Sequence, residues 1–135
     1  MTPYRILASA FIVAMAPALL WARGQSSASG GANDFNAYCA SCHGPTAKGD
    51  GPIANSFRKR PADLTKLSSR NNGVYPSEIV FKTIDGKTPV AGHGGPDMPT
   101  WGDVFSKSSE SSTAEAVRQR IDSLVKYLET LQDKK

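Results

Sequence analysis

Cysteine, histidine and methionine are scarce in these 135 residues, which hold two, two and three of them. That scarcity argues against several chemistries. A zinc module needs a second closely spaced ligand pair, and Cys39, Cys42, His43 and His93 do not supply one, because His43 as the neighbour of Cys42 would struggle to join the same tetrahedron. No alternating strand pattern precedes residue 39, so the α/β surroundings of a thioredoxin-like dithiol are missing. No basic stripe interleaved with aromatics is present, and nucleic-acid binding is not expected. The apolar run Ile6 to Trp21 would span roughly 24 Å as a helix, short of the ~30 Å hydrocarbon layer, and Pro17 interrupts it. No Arg pair precedes that run, and no cysteine lies before Cys39 to carry a lipid.

The chain opens with the features of an export signal. Arg5 gives a positive start, the apolar run follows, and Leu20-Trp21-Ala22 offers a small residue at a cleavage point. Residues 1–22 are therefore expected to be a secretory signal peptide, read by the general secretory route and delivering the protein to the periplasm. Retention of the signal as an anchor is the alternative, and the one case in which membrane contact is expected. Gly24 to Gly31 is rich in glycine and serine, so residues 23–31 read as a flexible linker. Residues 32–135 remain as a single domain, small enough that a bulky apolar cofactor would help it bury an adequate core.

Sixteen Lys and Arg against twelve Asp and Glu give a formal charge of +4, and loss of Arg5 with the signal leaves +3. Arg58-Lys59-Arg60 is the one basic cluster. It reads either as a solvated helix end or loop, or as a docking patch that steers an acidic redox partner.

The two cysteines stand in Cys39-Ala40-Ser41-Cys42-His43, the string of a c-type haem attachment site. Two thiols one helical turn apart can add to the two vinyl groups on one porphyrin edge, and the adjacent imidazole can reach the iron from one face. A structural disulfide is chemically allowed in an exported protein, but it leaves His43 without a role.

A second axial position calls for another ligand. Past the signal the chain has one methionine, Met98, in Gly94-Gly95-Pro96-Asp97-Met98-Pro99-Thr100-Trp101. Glycine and proline there disfavour a helix and predict a fixed extended loop, suited to bringing thioether sulfur round the far face of a haem. His93 is the competing distal ligand, or else a loop histidine near the haem edge.

Three helices are predicted around these motifs. One starts over Asp34 to Cys39 with Asn33 as N-cap and stops near Gly44-Pro45. A second covers Pro76 to Asp85, with proline in its first turn and Gly86 at its exit. The longest opens on Ser112-Thr113-Ala114-Glu115, read as a capping box, and carries Val117, Ile121, Leu124, Val125, Leu128 and Leu131 on one core-facing stripe.

Taken in order, Cys39-Ala40-Ser41-Cys42-His43-Gly44, Lys48-Gly49-Asp50-Gly51-Pro52, Pro61-Ala62-Asp63-Leu64-Thr65 and Asp97-Met98-Pro99-Thr100-Trp101 resemble the class I monohaem cytochromes c, the small bacterial ones in particular, over residues 32–132. The resemblance implies an all-α cytochrome c fold, with N- and C-terminal helices crossing and a middle helix and long loops around one covalently bound haem c. It implies that Gly31 and Phe35 cross Leu124 and Tyr127, that a backbone carbonyl at Pro52 accepts the Nδ1 proton of His43, and that Trp101 lies near a propionate or plugs the ligand loop. Cys39, Cys42, His43 and Met98 would bind the cofactor, with His43 and Met98 on the iron. The function implied is one-electron carriage between redox proteins, with no small-molecule substrate and no catalysis. A dedicated cytochrome subunit of a dehydrogenase or terminal oxidase is the alternative. A five-coordinate haem enzyme or gas sensor, with Met98 unbound, is the reading from another class.

Overall fold

The structure is a computed structural model, and it describes residues 29–87, 98–110 and 113–133. The signal reading of residues 1–22, most of the linker, His93 and Ser112 lie outside the described residues. Among those described, the regular structure is helical and contains no strand, the all-α class expected.

Helix α1 covers residues 29–43. It is α-helical over 29–34, passes through a π-helical turn at Phe35–Cys39 and ends in an α-turn at Ala40–His43. Asn33 is therefore inside the helix and caps nothing, and Ser29, Gly30 and Gly31 belong to the helix rather than to the linker. Packing overrides the local propensity of two glycines here. An ideal Cβ on Gly31 would sit 2.1 Å from the Ser123 carbonyl oxygen and 2.9 Å from Cβ of Tyr127. Only glycine lets the two backbones come so close.

After α1 the chain makes two 3₁₀ turns, Ala54–Ser56 and Leu64–Lys66, and a short α2 at Leu67–Arg70. Helix α3, Ser77–Asp85, matches the sequence reading: Pro76 is its N-cap, Gly86 takes φ 72° as its left-handed C-cap, and Val80 and Ile84 are its buried pair. Helix α4, Trp101–Ser106, was not anticipated, since its sequence begins in the segment read as an extended loop. Helix α5 is Ala114–Thr130. Its N-cap is Thr113, whose side chain accepts from the Ala116 N–H, so the cap lies one residue later than the box read from Ser112. Glu115 instead accepts from Gln119 Nε2 at 2.9 Å.

The stripe on α5 is the spine of the core. Val117, Ile121, Leu124, Val125 and Leu128 are buried, with Leu131 half-buried against them. They meet Phe35 from α1, Val80 and Ile84 from α3 and Phe105 from α4. Phe35, Phe105, Ile121 and Leu124 are fully buried, each stabilising the fold by about 1.5–3 kcal/mol through area removed from water. The expected crossing of terminal helices is present: the rings of Phe35 and Tyr127 lie 5.5 Å apart. The far end of α5 is tied down as well, because Gln132 donates to Leu64 O and accepts from Ser68 N–H, and Asp133 N–H donates to Thr65 O. The middle of the chain is thus held against the C-terminal end of the longest helix.

Candidate functional site

The end of α1 carries Cys39, Cys42 and His43, and a helix end leaves carbonyls without partners. The following loop supplies them. Gly49 N–H donates to His43 O at 2.7 Å, Gly51 N–H to Cys42 O at 3.1 Å and Ile53 N–H to Ser41 O at 3.1 Å. A side chain at residue 51 would collide with the helix end, since an ideal Cβ there falls 2.3 Å from Ser41 O. The Lys48-Gly49-Asp50-Gly51-Pro52 string is thus the strap that fixes the last turn of α1.

Both cysteines are half-buried free thiols, three residues apart on that turn. Burial pushes the Cys39 thiol up to about 12, with the charges of Asp34 and Cys42 adding to the effect. It stays protonated at neutral pH. His43 is half-buried, and burial lowers its pKa against an opposing hydrogen bond. That bond runs from Nδ1 to the carbonyl of Ala62 at 3.0 Å. The acceptor is Ala62, not Pro52, because residues 49–53 spend their approach on the carbonyls of α1, and the next segment to pass the imidazole is Pro61-Ala62. With Nδ1–H donated, Nε2 keeps its lone pair and is the atom free to bind a metal.

Met98 is 37% exposed, at the start of the short approach to α4. The residues after it are firmly seated. An ideal Cβ on Gly86 would lie 2.9 Å from Cα of Thr100, so the two ends of the segment that includes Met98 touch at its neck. Trp101 and Phe105 pack on Tyr38, at 5.6 Å each between ring centroids, and Tyr38 directly precedes Cys39. Trp101 is thus half-buried and stacked on the thiol-bearing helix through Tyr38.

Arg120, from α5, locks this stack. Its guanidinium binds Asp34 through two hydrogen bonds, at 2.8 and 2.7 Å, and lies 4.2 Å from the Phe105 ring centroid and 5.2 Å from that of Tyr38. Pairing with Asp34 raises its pKa further, so it is always charged. Sequence reasoning missed this residue. The partners are 86 positions apart, and no local pattern joins them.

These side chains suit a covalently held haem. Two unpaired thiols stand one turn apart, an imidazole with one nitrogen occupied and the other available stands next to them, and no cluster of three His, Cys, Asp or Glu able to hold a bare metal ion occurs among the described residues. A helical fold strapped round this turn defines a c-type cytochrome. The family model described as cytochrome C oxidase, cbb3-type, subunit III matches residues 26–115, and the chain belongs to that family. The match takes in α1 to α4 and the first two residues of α5. No curated protein and no solved structure matches the chain significantly. The domain carries covalently bound haem c with its iron, serves electron transfer, and has redox proteins as partners.

Proposed function

We propose that the chain is a one-electron carrier whose haem is tied through Cys39 and Cys42 and whose iron takes His43 on one side and Met98 on the other. One observation carries this reading: the Nδ1 proton of His43 is committed to Ala62 O, which presents Nε2 beside two free thiols. The bound haem supplies a centre that changes charge by one electron. The protein does the rest. The strap of Gly49, Gly51 and Ile53 holds the imidazole and thiols rigid, so little reorganisation accompanies a change of charge. The stack of Tyr38, Trp101 and Phe105 holds the entry to α4 against α1, three residues after Met98, which supports Met98 as the candidate for the second axial position. Thioether sulfur on iron favours the ferrous state and raises the potential. No bond chemistry on a substrate is required of any residue.

Residues 1–22 are proposed to be an export signal and the working compartment the periplasm, where thioether attachment takes place. A second reading is favoured by the family's own description as an oxidase subunit: the domain works as the dedicated cytochrome of a terminal oxidase rather than as a free shuttle. Persistent co-purification with an oxidase distinguishes the two.

The test is spectroscopic. Secretion in a host with haem-attachment machinery yields a red protein whose ferric form shows the long-wavelength Fe–S band. Met98→Ala removes that band and lowers the potential, while Cys39→Ala or Cys42→Ala impairs attachment. An unchanged spectrum in Met98→Ala eliminates methionine as the ligand. A secreted product without the added mass of haem eliminates the whole reading.

A further inference from the structure

The charge of this chain is not spread evenly. Residues 44–73 contain six cations, Lys48, Arg58, Lys59, Arg60, Lys66 and Arg70, and two carboxylates, Asp50 and Asp63. Their net +4 equals the charge of the whole chain, so everything outside this segment sums to zero. The segment is the one that wraps His43.

Its backbone draws the cations together. Leu64 N–H donates to Ala47 O at 2.7 Å, and an ideal Cβ on Gly49 would fall 2.3 Å from Pro61 O, so Lys48 sits on a loop pressed against Pro61 and Ala62. Arg70 Nη1 reaches Asp63 O at 3.0 Å from the other side. Arg58, Lys59 and Arg60 are exposed, and among the described residues none of the three makes an ion pair. Of the segment's two carboxylates, Asp63 accepts from the backbone N–H and the hydroxyl of Thr65, and neither Asp63 nor Asp50 is within ion-pair distance of Arg58, Lys59 or Arg60. Lys66 is the exception, paired with Asp133 at the end of α5.

We propose that this basic face, centred on Arg58, Lys59 and Arg60, is where an acidic redox protein docks to exchange one electron with the carrier. The inference rests on the electron-carrier reading above and adds the surface and the chemistry of the partner. Arg60 is two residues from Ala62, whose carbonyl holds His43 at 3.0 Å. A partner seated on the patch therefore sits a short backbone span from the imidazole. Unpaired cations on one face raise the rate of encounter with an acidic surface by about 10–10³-fold at low salt, and screening removes the advantage as the Debye length falls from ~30 Å at 0.01 M to ~3 Å at 1 M. The exchange transfers one electron from partner to carrier or back, with no bond made or broken.

Stopped-flow reduction of the ferric holoprotein by reduced flavodoxin, an acidic one-electron protein donor, tests the proposal. The triple variant Arg58→Glu/Lys59→Glu/Arg60→Glu is expected to slow the second-order rate at least tenfold at about 10 mM ionic strength and less than twofold at about 0.5 M. Lys82→Glu/Lys107→Glu/Lys126→Glu makes the same change of charge on α3, just past α4 and on α5, and is expected to stay within about threefold of wild type. If the two triples slow the reaction equally, net charge alone governs encounter and the docking face is refuted; no slowing in either refutes it too. Should the glutamate triple fail to accumulate, Arg58→Gln/Lys59→Gln/Arg60→Gln is expected to give a smaller slowing, about three- to fivefold, with the same salt dependence. A product lacking a haem spectrum before mixing overturns the carrier reading itself, and the docking face with it. An intact spectrum with wild-type kinetics at both salt concentrations overturns the docking face alone.

Discussion

Two adjacent glycines in α1 should respond to the same substitution in opposite directions. Gly31 faces α5, where an ideal Cβ meets Ser123 O at 2.1 Å, Ser123 C at 2.6 Å and Tyr127 Cβ at 2.9 Å. Two of those three atoms are backbone and cannot swing aside, so Gly31→Ala must push the helices about 1 Å apart to restore contact distances, loosening the Phe35 and Tyr127 rings with them. Overpacking of this kind costs about 1–3 kcal/mol, and the better helix propensity of alanine returns at most about 1 kcal/mol. For a domain near 100 residues each kcal/mol moves Tm by about 4–8 °C, so a net cost of up to about 2 kcal/mol, with the propensity gain taken in full, predicts a fall of up to roughly 8–16 °C. Gly30 has no atom within 4 Å of its ideal Cβ, so Gly30→Ala collects the propensity gain alone and should melt a few degrees above wild type. The assay is thermal unfolding of the two holoproteins followed by far-ultraviolet circular dichroism. If Gly31→Ala melts at or above Gly30→Ala, the seam is not limited by backbone contact and the reasoning is wrong.

Other outcomes follow from contacts at the same helices. Arg120→Met strands Asp34, 17% exposed at its side chain, without its guanidinium, and should cost about 1–3 kcal/mol, with Asp34→Asn/Arg120→Met recovering part of the loss in chemical denaturation. The Tyr75 hydroxyl donates to Val125 O at 2.9 Å, and Tyr75→Phe should cost about 1 kcal/mol at neutral pH. Burial, with the Glu129 charge adding, holds the Tyr75 phenol above its ordinary 10.0, so above that pH the unfolded chain releases a proton that the folded chain keeps. The sign is a loss of stability as pH rises past 10, by up to about 1.4 kcal/mol per unit, and Tyr75→Phe should lack that part of the slope in denaturant titrations from pH 9 to 11. Unfolded Cys39 titrates from 9.0 while burial holds the folded thiol near 12, so any folded protein that has escaped haem attachment should alkylate at Cys39 about 10³-fold more slowly than an ordinary thiol at pH 8. Mass spectrometry of iodoacetamide-treated protein reads this directly.

The parts of the molecule legible in sequence were those whose causes are local. The 3.6-residue stripe on α5 named five of its buried residues, and Pro76 and Gly86 bracketed α3 because proline and glycine act on their own backbone. The thiol and imidazole cluster was equally plain, being written in five consecutive residues. Features that depend on distant backbone were missed. Asn33 was read as a cap after a glycine- and serine-rich stretch, yet α5 packs against Gly31 and the helix runs on through residue 29. Ala62 gave no sign of its role, since any residue has a carbonyl and only the path of the chain decides which one reaches His43. Helix α4 was hidden because six residues carry too little periodicity to show, and its place is set by aromatic packing on Tyr38. Arg120 and Asp34 find each other only after α1 and α5 have crossed.

The π-helical turn at Phe35–Cys39 has a consequence for how the chain can tolerate change. By closing on the carbonyl five residues back, where Ala40 N–H meets Phe35 O, it spends one more residue per turn than the α-helix on either side. The rod is thereby re-indexed midway, so that the side which mates with the last helix and the side which offers sulfur are set by separate halves. Excising a single residue between Phe35 and Cys39 would let that turn close as plain α-helix and leave the sulfurs nearly in place relative to the mating side, whereas the same excision from the α-helical stretch 29–34 would rotate them by about one α-helical step, roughly 100°.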